Sequence, residues 1–166
     1  MRICSLLPSA TEIIAQLGLV DSLVGVSEEC RWPQEVVGKP VVTAARIDPS
    51  SLTSLEIDHA VRDSIGEGES LYTVDADLID ALAPDLIVTQ DLCAVCAVSS
   101  SQLAAACPVA ADVLSLDPRT LAGVAESVRT LAATLGAVDR GNQIVSQMWE
   151  TIETAAARSL RGACAS

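Results

Sequence analysis

The sequence predicts an α/β fold, a parallel sheet flanked by helices and followed by one long helix. Three observations predict it. Short aliphatic runs alternate with stretches whose apolar residues recur every three or four positions, the strand, helix, strand, helix order of a sheet with crossover helices. Half of the 166 residues are hydrophobic, yet only 2% are aromatic and Phe is absent, so the core is aliphatic, as suits a buried sheet covered by helices. A chain of this length buries roughly 70% of the surface that its unfolded form exposes, enough for one sizeable core.

Residues 3–7 (Ile-Cys-Ser-Leu-Leu) form the first expected strand. Ser9-Ala-Thr-Glu12 reads as a capping box, Ser9 accepting from the backbone N–H near Glu12 while Glu12 reaches back. Ile13, Ile14 and Leu17 make the buried face of that helix, and Gly18 is placed to end it. A second strand is expected over 23–26, then an aperiodic loop over 27–33, then a short strand at Val41 and Val42. Ile57, Val61 and Ile65 predict a helix over 54–64, stopped by the turn at Gly66 to Gly68. Asp75 caps a helix over 76–83 that Pro84 terminates, and 85–89 is the most strand-like run in the chain. After the loop 90–98, Ser99 or Ser100 caps a helix to about residue 106, and 112–116 is a further strand. Asp117-Pro118 supplies an N-cap and a proline at the first helical position, Leu121, Val124, Val128, Leu131 and Leu135 form a stripe, and Gly136 ends it. Asp139 starts the last helix, with Val145, Trp149, Ile152 and Ala156 on one stripe. It spans about 22 residues, roughly 33 Å. The expected organisation is a lobe over 1–138, a long connecting helix over 139–161 and a frayed tail over 162–166.

Twenty-two acidic against 10 basic residues give a formal charge of −12, which repels a phosphate backbone and excludes nucleic acid as a partner. The longest apolar candidate, 121–138, is broken by Glu126 and Arg129 and falls short of a membrane span. Met1 runs almost directly into a strand and Pro8, without the basic and apolar regions of a secretion signal. The expected location is cytoplasmic as written, or periplasmic or cell-surface if an export signal has been removed. The six cysteines are then free thiols or metal ligands rather than disulfides.

In a parallel sheet the loops leaving the carboxyl ends of the strands share one edge, where ligands bind. The loops at 8–12, 28–33 and 90–98 qualify, and their candidate ligand-binding residues are Ser9, Thr11, Glu12, Glu29, Trp32, Gln90 and Asp91. Glu12 has two readings, half of a helix cap or a ligand contact, and Trp32 either stacks on a flat ligand or closes its loop. Glu28 and Glu29 are expected in solvent. Cys93-Ala-Val-Cys96 with Cys30 offers thiolates to zinc or iron, Glu29 or Gln90 being the nearest further ligands. Two other readings stand beside it: small apolar residues packed under loops, or a dithiol redox pair. His59, among Glu56, Asp58, Arg62 and Asp63, reads as a solvated surface residue without a nucleophile motif. No phosphate-binding glycine motif is present.

Ser5-Leu-Leu-Pro-Ser-Ala-Thr-Glu-Ile13, Leu23-Val-Gly-Val26 with its Glu-Cys-x-x-Pro loop, Ser70-Leu-Tyr72, Ala83-Pro-Asp-Leu-Ile87 and Thr89-Gln-Asp-Leu-Cys-Ala-Val-Cys-Ala-Val98 carry a resemblance over essentially the whole chain. Together they resemble the helical-backbone class of ABC-transporter solute-binding proteins, of the vitamin B12 and iron-chelate type, and within it a leaderless cobalamin-binding-like branch. The resemblance implies a non-enzymatic protein of two α/β lobes joined by a long helix, with a corrinoid, haem-like or iron-chelate ligand between them and no covalent cofactor. Only the first lobe and the connecting helix are present. The resemblance also makes Asp77 the counterpart of an acidic residue that docks on an ABC permease, although a plain helix-start Asp is the simpler role. The family loop is closer to Ser-His-Glu-Cys-Asp-Tyr-Pro, so Glu28 and Arg31 depart from it. The rival functions are thiol-based redox or metal handling through Cys30, Cys93 and Cys96, and an interaction module forming a homodimer through the long helix.

Overall fold

A computed structural model describes residues 1–48, 51–66, 71–91, 98–101, 103 and 111–163 of the chain. They fall into two compact units, Met1–Asp117 and Pro118–Ser166.

The first unit is built on β1 (Ile3–Ser5), β2 (Leu23–Val26), β5 (Leu86–Thr89) and β6 (Asp112–Ser115). They form a parallel sheet of order β2-β1-β5-β6. β1 ends at Ser5, two residues before the end of the expected strand. Leu6 N–H still donates to Val88 O at 2.8 Å, but Pro8 already opens the helix α1 (Pro8–Gln16). That start corrects the expected capping box. The N-cap is Leu7, without a side-chain cap bond, because proline at the first helical position brings a preset φ and lacks an N–H that would go unpaired there anyway. The reciprocal Thr-x-x-Glu cap occurs instead at α2 (Ser54–Gly66). Glu56 accepts from Thr53 N–H at 2.8 Å and from Thr53 Oγ1 at 2.7 Å. These bonds, the side-chain one foremost, hold the Glu56 carboxyl below its usual range.

The strand expected at Val41 and Val42 is only a bridge, Val41 to Val26. The strand proper is β3 (Thr43–Ala45), paired antiparallel with β4 (Tyr72–Val74), which the sequence pattern did not announce. Asp75 caps α3 (Ala76–Leu82) as expected, accepting from Leu78 N–H at 2.9 Å. Its far end is held from a distance: Arg2 Nη2 donates to Leu82 O at 2.6 Å and Arg2 Nε to Ala83 O at 3.2 Å. Ala83 itself has φ 41°, left-handed. The core is aliphatic, with Cys4, Leu6, Val42, Ile79, Ile87, Val98 and Leu103 in one buried cluster. Gly25 is the point of closest approach there, since a Cβ would sit 3.1 Å from both Leu82 Cδ1 and Val42 Cγ1.

In the second unit, α4 (Leu121–Thr134) and α5 (Val138–Ala163) are joined across Gly136, φ 70°. The cap of α4 is Thr120, whose hydroxyl accepts from Gly123 N–H at 3.0 Å, not Asp117. Asp117 is already engaged, accepting from Asp91 N–H and from Ser115 Oγ. α5 has 26 residues, about 39 Å, against about 21 Å for the 14 residues of α4. The two helices approach so closely that an alanine at 141 would overlap the Ala132 methyl.

Two substitutions should therefore shift stability in opposite directions. Ala83→Gly relieves a left-handed alanine, roughly 1–2 kcal/mol, against the entropy of a new glycine, and should raise the urea-unfolding free energy by about 0.5–1 kcal/mol. Gly141→Ala gains helix propensity of about 1 kcal/mol but should lower stability by about 1–2 kcal/mol net, because packed backbones must part.

Candidate functional site

The strand order reverses direction at β1. The chain leaves β1 through α1 toward β2 on one side, and leaves β5 toward β6 on the other. Loops that diverge from adjacent parallel strands leave a crevice beyond their carboxyl ends. A cavity of about 80 Å³ occupies that place. Leu6, Leu7 and Pro8 line it from the end of β1, Ser27 and Glu29 from the end of β2, and Gln90 and Val98 from the end of β5. Thr43 and Tyr72 of the β3–β4 ribbon complete it.

Each wall is fixed by hydrogen bonds of its own. On the β2 side, Ser27 N–H donates to Ser5 O at 3.0 Å, Ser27 Oγ accepts from Glu29 N–H at 3.1 Å, and Thr43 Oγ1 accepts from Glu28 N–H at 3.1 Å. Glu28, expected in solvent, is half-buried, and its Oε1 is covered without a partner among the described residues. On the β5 side, Thr89 Oγ1 donates to Val98 O, tying the two ends of the 90–98 loop together. Asp91 reinforces the tie. Its carboxylate accepts from Ser100 N–H at 2.8 Å and from Ser100 Oγ at 2.9 Å, while its own N–H donates to Asp117. The Ser100 N–H bond is the main reason its carboxyl lies below the usual aspartate range. Leu103 N–H donates to Ser99 O at 2.9 Å, so the first turn of the helix expected after Ser99 is present. Its continuation to 106 lies outside the described residues.

The candidate residues do not all meet. Glu29 and Gln90 line the crevice, and Asp91 stands one residue behind as a tie rather than on the wall. Ser9 is exposed on the first turn of α1 and lines neither this cavity nor the next. Thr11 is fully buried, its hydroxyl 2.8 Å from Ser5 Oγ and 3.1 Å from Cys30 Sγ. Cys30 is 6% exposed, its thiol 3.8 Å from Ser5 O, so it sits as a packed, hydrogen-bonded thiol beneath the loop. Cys93 and Cys96 lie outside the described residues. Among the described residues no three His, Cys, Asp or Glu side chains are grouped to hold a metal ion. Glu12 and Trp32 do come together, but around a separate cavity on the flank of α1. Asp77 is exposed in the first turn of α3, where the helix dipole favours it. Leu6, Ser27, Thr43, Tyr72 and Val98 were not among the sequence candidates. Tyr72 alone had a signal, being one of three aromatic residues in the chain.

The model of the periplasmic binding protein family matches residues 3–159. The chain belongs to this family. No curated protein matches the sequence. Among solved structures, the family fold is shared with the periplasmic vitamin B12-binding protein of Vibrio cholerae, at 22% identity and TM-score 0.65, over 92% of this chain and 48% of that one. A periplasmic haem-binding protein from Pseudomonas aeruginosa is similar at 18% identity and TM-score 0.69, over 93% and 45%. A possible iron-binding, periplasmic solute-binding protein from Staphylococcus epidermidis is similar at 20% identity and TM-score 0.58, over 92% and 49%. The chain thus spans about half the length of the solved structures that it matches. The expected fold, one lobe's parallel sheet flanked by helices with a long helix following, is the fold observed. Periplasmic binding proteins are binding proteins rather than enzymes.

The tie between Asp91 and Ser100 should be titratable. A carboxyl with a depressed pKa contributes stability fully above its unfolded value, about 3.9, and loses it as pH falls through the lower folded value. Asp91→Ala should cost about 1 kcal/mol at pH 7, the usual worth of a helix-start cap. The gap between variant and wild type, followed by urea titrations at falling pH, should close below the ordinary aspartate range.

Proposed function

We propose that this chain binds a corrinoid, haem-like or iron-chelate ligand, with the crevice between the ends of β1 and β5 as its anchoring notch. The observation that carries the reading is the convergence of the loops after β1, β2 and β5, with Tyr72, on one cavity at the sheet's carboxyl edge. Family membership and the ligands named for the similar structures support it.

The size of the cavity limits its role. At about 80 Å³ it is well below the roughly 300–1,000 Å³ of a complete small-molecule pocket. A tetrapyrrole therefore rests on the rim and inserts only an edge or substituent, while the rest of its surface needs a second wall. In this reading residues 1–138 are one lobe, 139–161 the connecting helix, and a second α/β lobe supplies the other wall. The partner is an ABC permease, and the matching location is the periplasm or cell surface. No helix among the described residues is long and apolar enough to cross a membrane. The metal that such a ligand carries is cargo, and Cys30, packed and hydrogen-bonded, takes no part in holding it.

Titration of the chain with haemin, cyanocobalamin and ferrichrome, followed by difference absorption and calorimetry, tests the proposal. Saturable one-to-one binding of at least one is expected, weakened about ten-fold by Tyr72→Ala or Gln90→Ala, a loss of about 1.4 kcal/mol, and unchanged by His59→Ala. Absence of binding by all three, or binding indifferent to Tyr72 and Gln90, would remove the crevice from consideration.

A further inference from the structure

The cavity on the flank of α1 is larger, about 210 Å³, and the chelate reading makes no use of it. Its apolar lining is Ala15, Val20 and Pro33, its polar groups are Glu12, Gln16 and Glu35, and the indole of Trp32 completes it. Trp32 is 64% exposed in a chain with two tryptophans, one tyrosine and no phenylalanine. A chain so poor in aromatics leaves a large indole face in water beside two carboxylates.

Neither Glu12 nor Glu35 has an ion-pair partner among the described residues. Arg31, next to Trp32 in sequence, is engaged elsewhere, its Nε donating to Glu28 O at 3.3 Å and its Nη2 lying 3.9 Å from Glu29. The supports are firm. Glu12 stands on α1 between buried Thr11 and Ile14, and Glu35 on a turn anchored by Val36, 1% exposed, whose N–H donates to Pro33 O at 3.0 Å. The backbone that carries the groups is thus already fixed, and filling the cavity has only side chains left to order.

We infer that this cavity is a binding site for a guanidinium group. An indole face attracts a cation through its quadrupole, and a planar guanidinium both stacks on the ring and forks two N–H bonds to a carboxylate. An ammonium ion is compact, more strongly hydrated and lacks that fork. A hard divalent cation needs six or more oxygen ligands, and a lining of Ala15, Val20, Pro33 and an indole does not supply them. The formal charge of −12 adds long-range attraction for any cation. The site lies apart from the crevice, so it stands or falls independently of the chelate.

An NMR titration of the whole chain tests the inference. Trp32 and Trp149 give separate indole N–H signals, assigned with Trp32→Phe and Trp149→Phe. The probes are ethylguanidine and the peptide acetyl-Ala-Arg-Ala-amide, with the uncharged citrulline peptide as control. The Trp32 signal should move saturably with the guanidinium probes while Trp149 stays, and the binding should weaken in about 0.5 M salt. Glu12→Gln with Glu35→Gln should weaken it about ten-fold or more, since charge-assisted bonds are lost. An unchanged pattern of methyl signals from the core residues Ile3, Ile14 and Ile79 of the first unit reports an intact fold in that variant. Tighter binding of ethylguanidine points to a free small molecule, tighter binding of the peptide to an arginine presented by another protein, and both support the site. An unmoved Trp32 signal, equal binding of the citrulline peptide, or a double variant that binds like wild type would overturn it.

Discussion

The structure depends on β1 being paired along both edges. Its three residues are at most 1% exposed, and each has a partner in β2 on one side and in β5 on the other. A strand held this way cannot slip, because a one-residue shift would turn every side chain to the opposite face. Both loops that frame the crevice are therefore referenced to one rigid element. The crevice exists because the chain departs from β1 and from β5 in opposite directions, and it would close if both connections ran the same way.

An aliphatic core offers no polar partners, so the loops at the sheet's carboxyl edge satisfy their own polar groups. Ser5, Thr11 and Cys30 form a buried cluster of hydroxyls and a thiol below the β1 and β2 ends. Asp91, Ser100, Ser115 and Asp117 form a second cluster across the ends of β5 and β6. The two differ in kind. The first is neutral and shut away from water, where an unpaired group would be expensive. The second is exposed and charged, where single bonds weigh less but a titratable carboxylate can sense pH.

The strands and helices were legible wherever periodicity and punctuation agreed: the Leu-Ile-Val-Thr run of β5, the Asp75 cap, and the extent of α4 with its Gly136 stop, although Leu121 and Val124 of its expected stripe are exposed and Ala125 and Ala132 are buried in their place. They failed where two local signals competed. Pro8 outweighed Ser9 at the start of α1, and Thr120 displaced Asp117 at the start of α4 because a tertiary bond had already claimed that carboxylate. The β3–β4 ribbon was invisible because three-residue strands carry too little alternation to register. The rule about strand ends pointed to the edge of the sheet where the crevice lies, and Glu29 and Gln90, named by that rule, line it. It had no means of finding Thr43 and Tyr72, which arrive from a ribbon folded over that edge.

The separation of Glu12 and Trp32 from Glu29 and Gln90 follows from helix geometry. Neighbouring residues on a loop can share a wall, but once α1 begins at Pro8 successive side chains rotate by about 100°. Leu7 and Pro8, at the start, border the crevice. Glu12, Ala15 and Gln16, three and four positions apart, share another face and border the second cavity. α1 thereby works as a partition: the crevice draws most of its lining from apolar side chains and neutral polar groups, with Glu29 its one carboxylate among the described residues, while the flank collects two carboxylates and an indole. A rim that reads as one surface in the sequence becomes two surfaces of different chemistry, and a ligand suited to one has no reason to occupy the other.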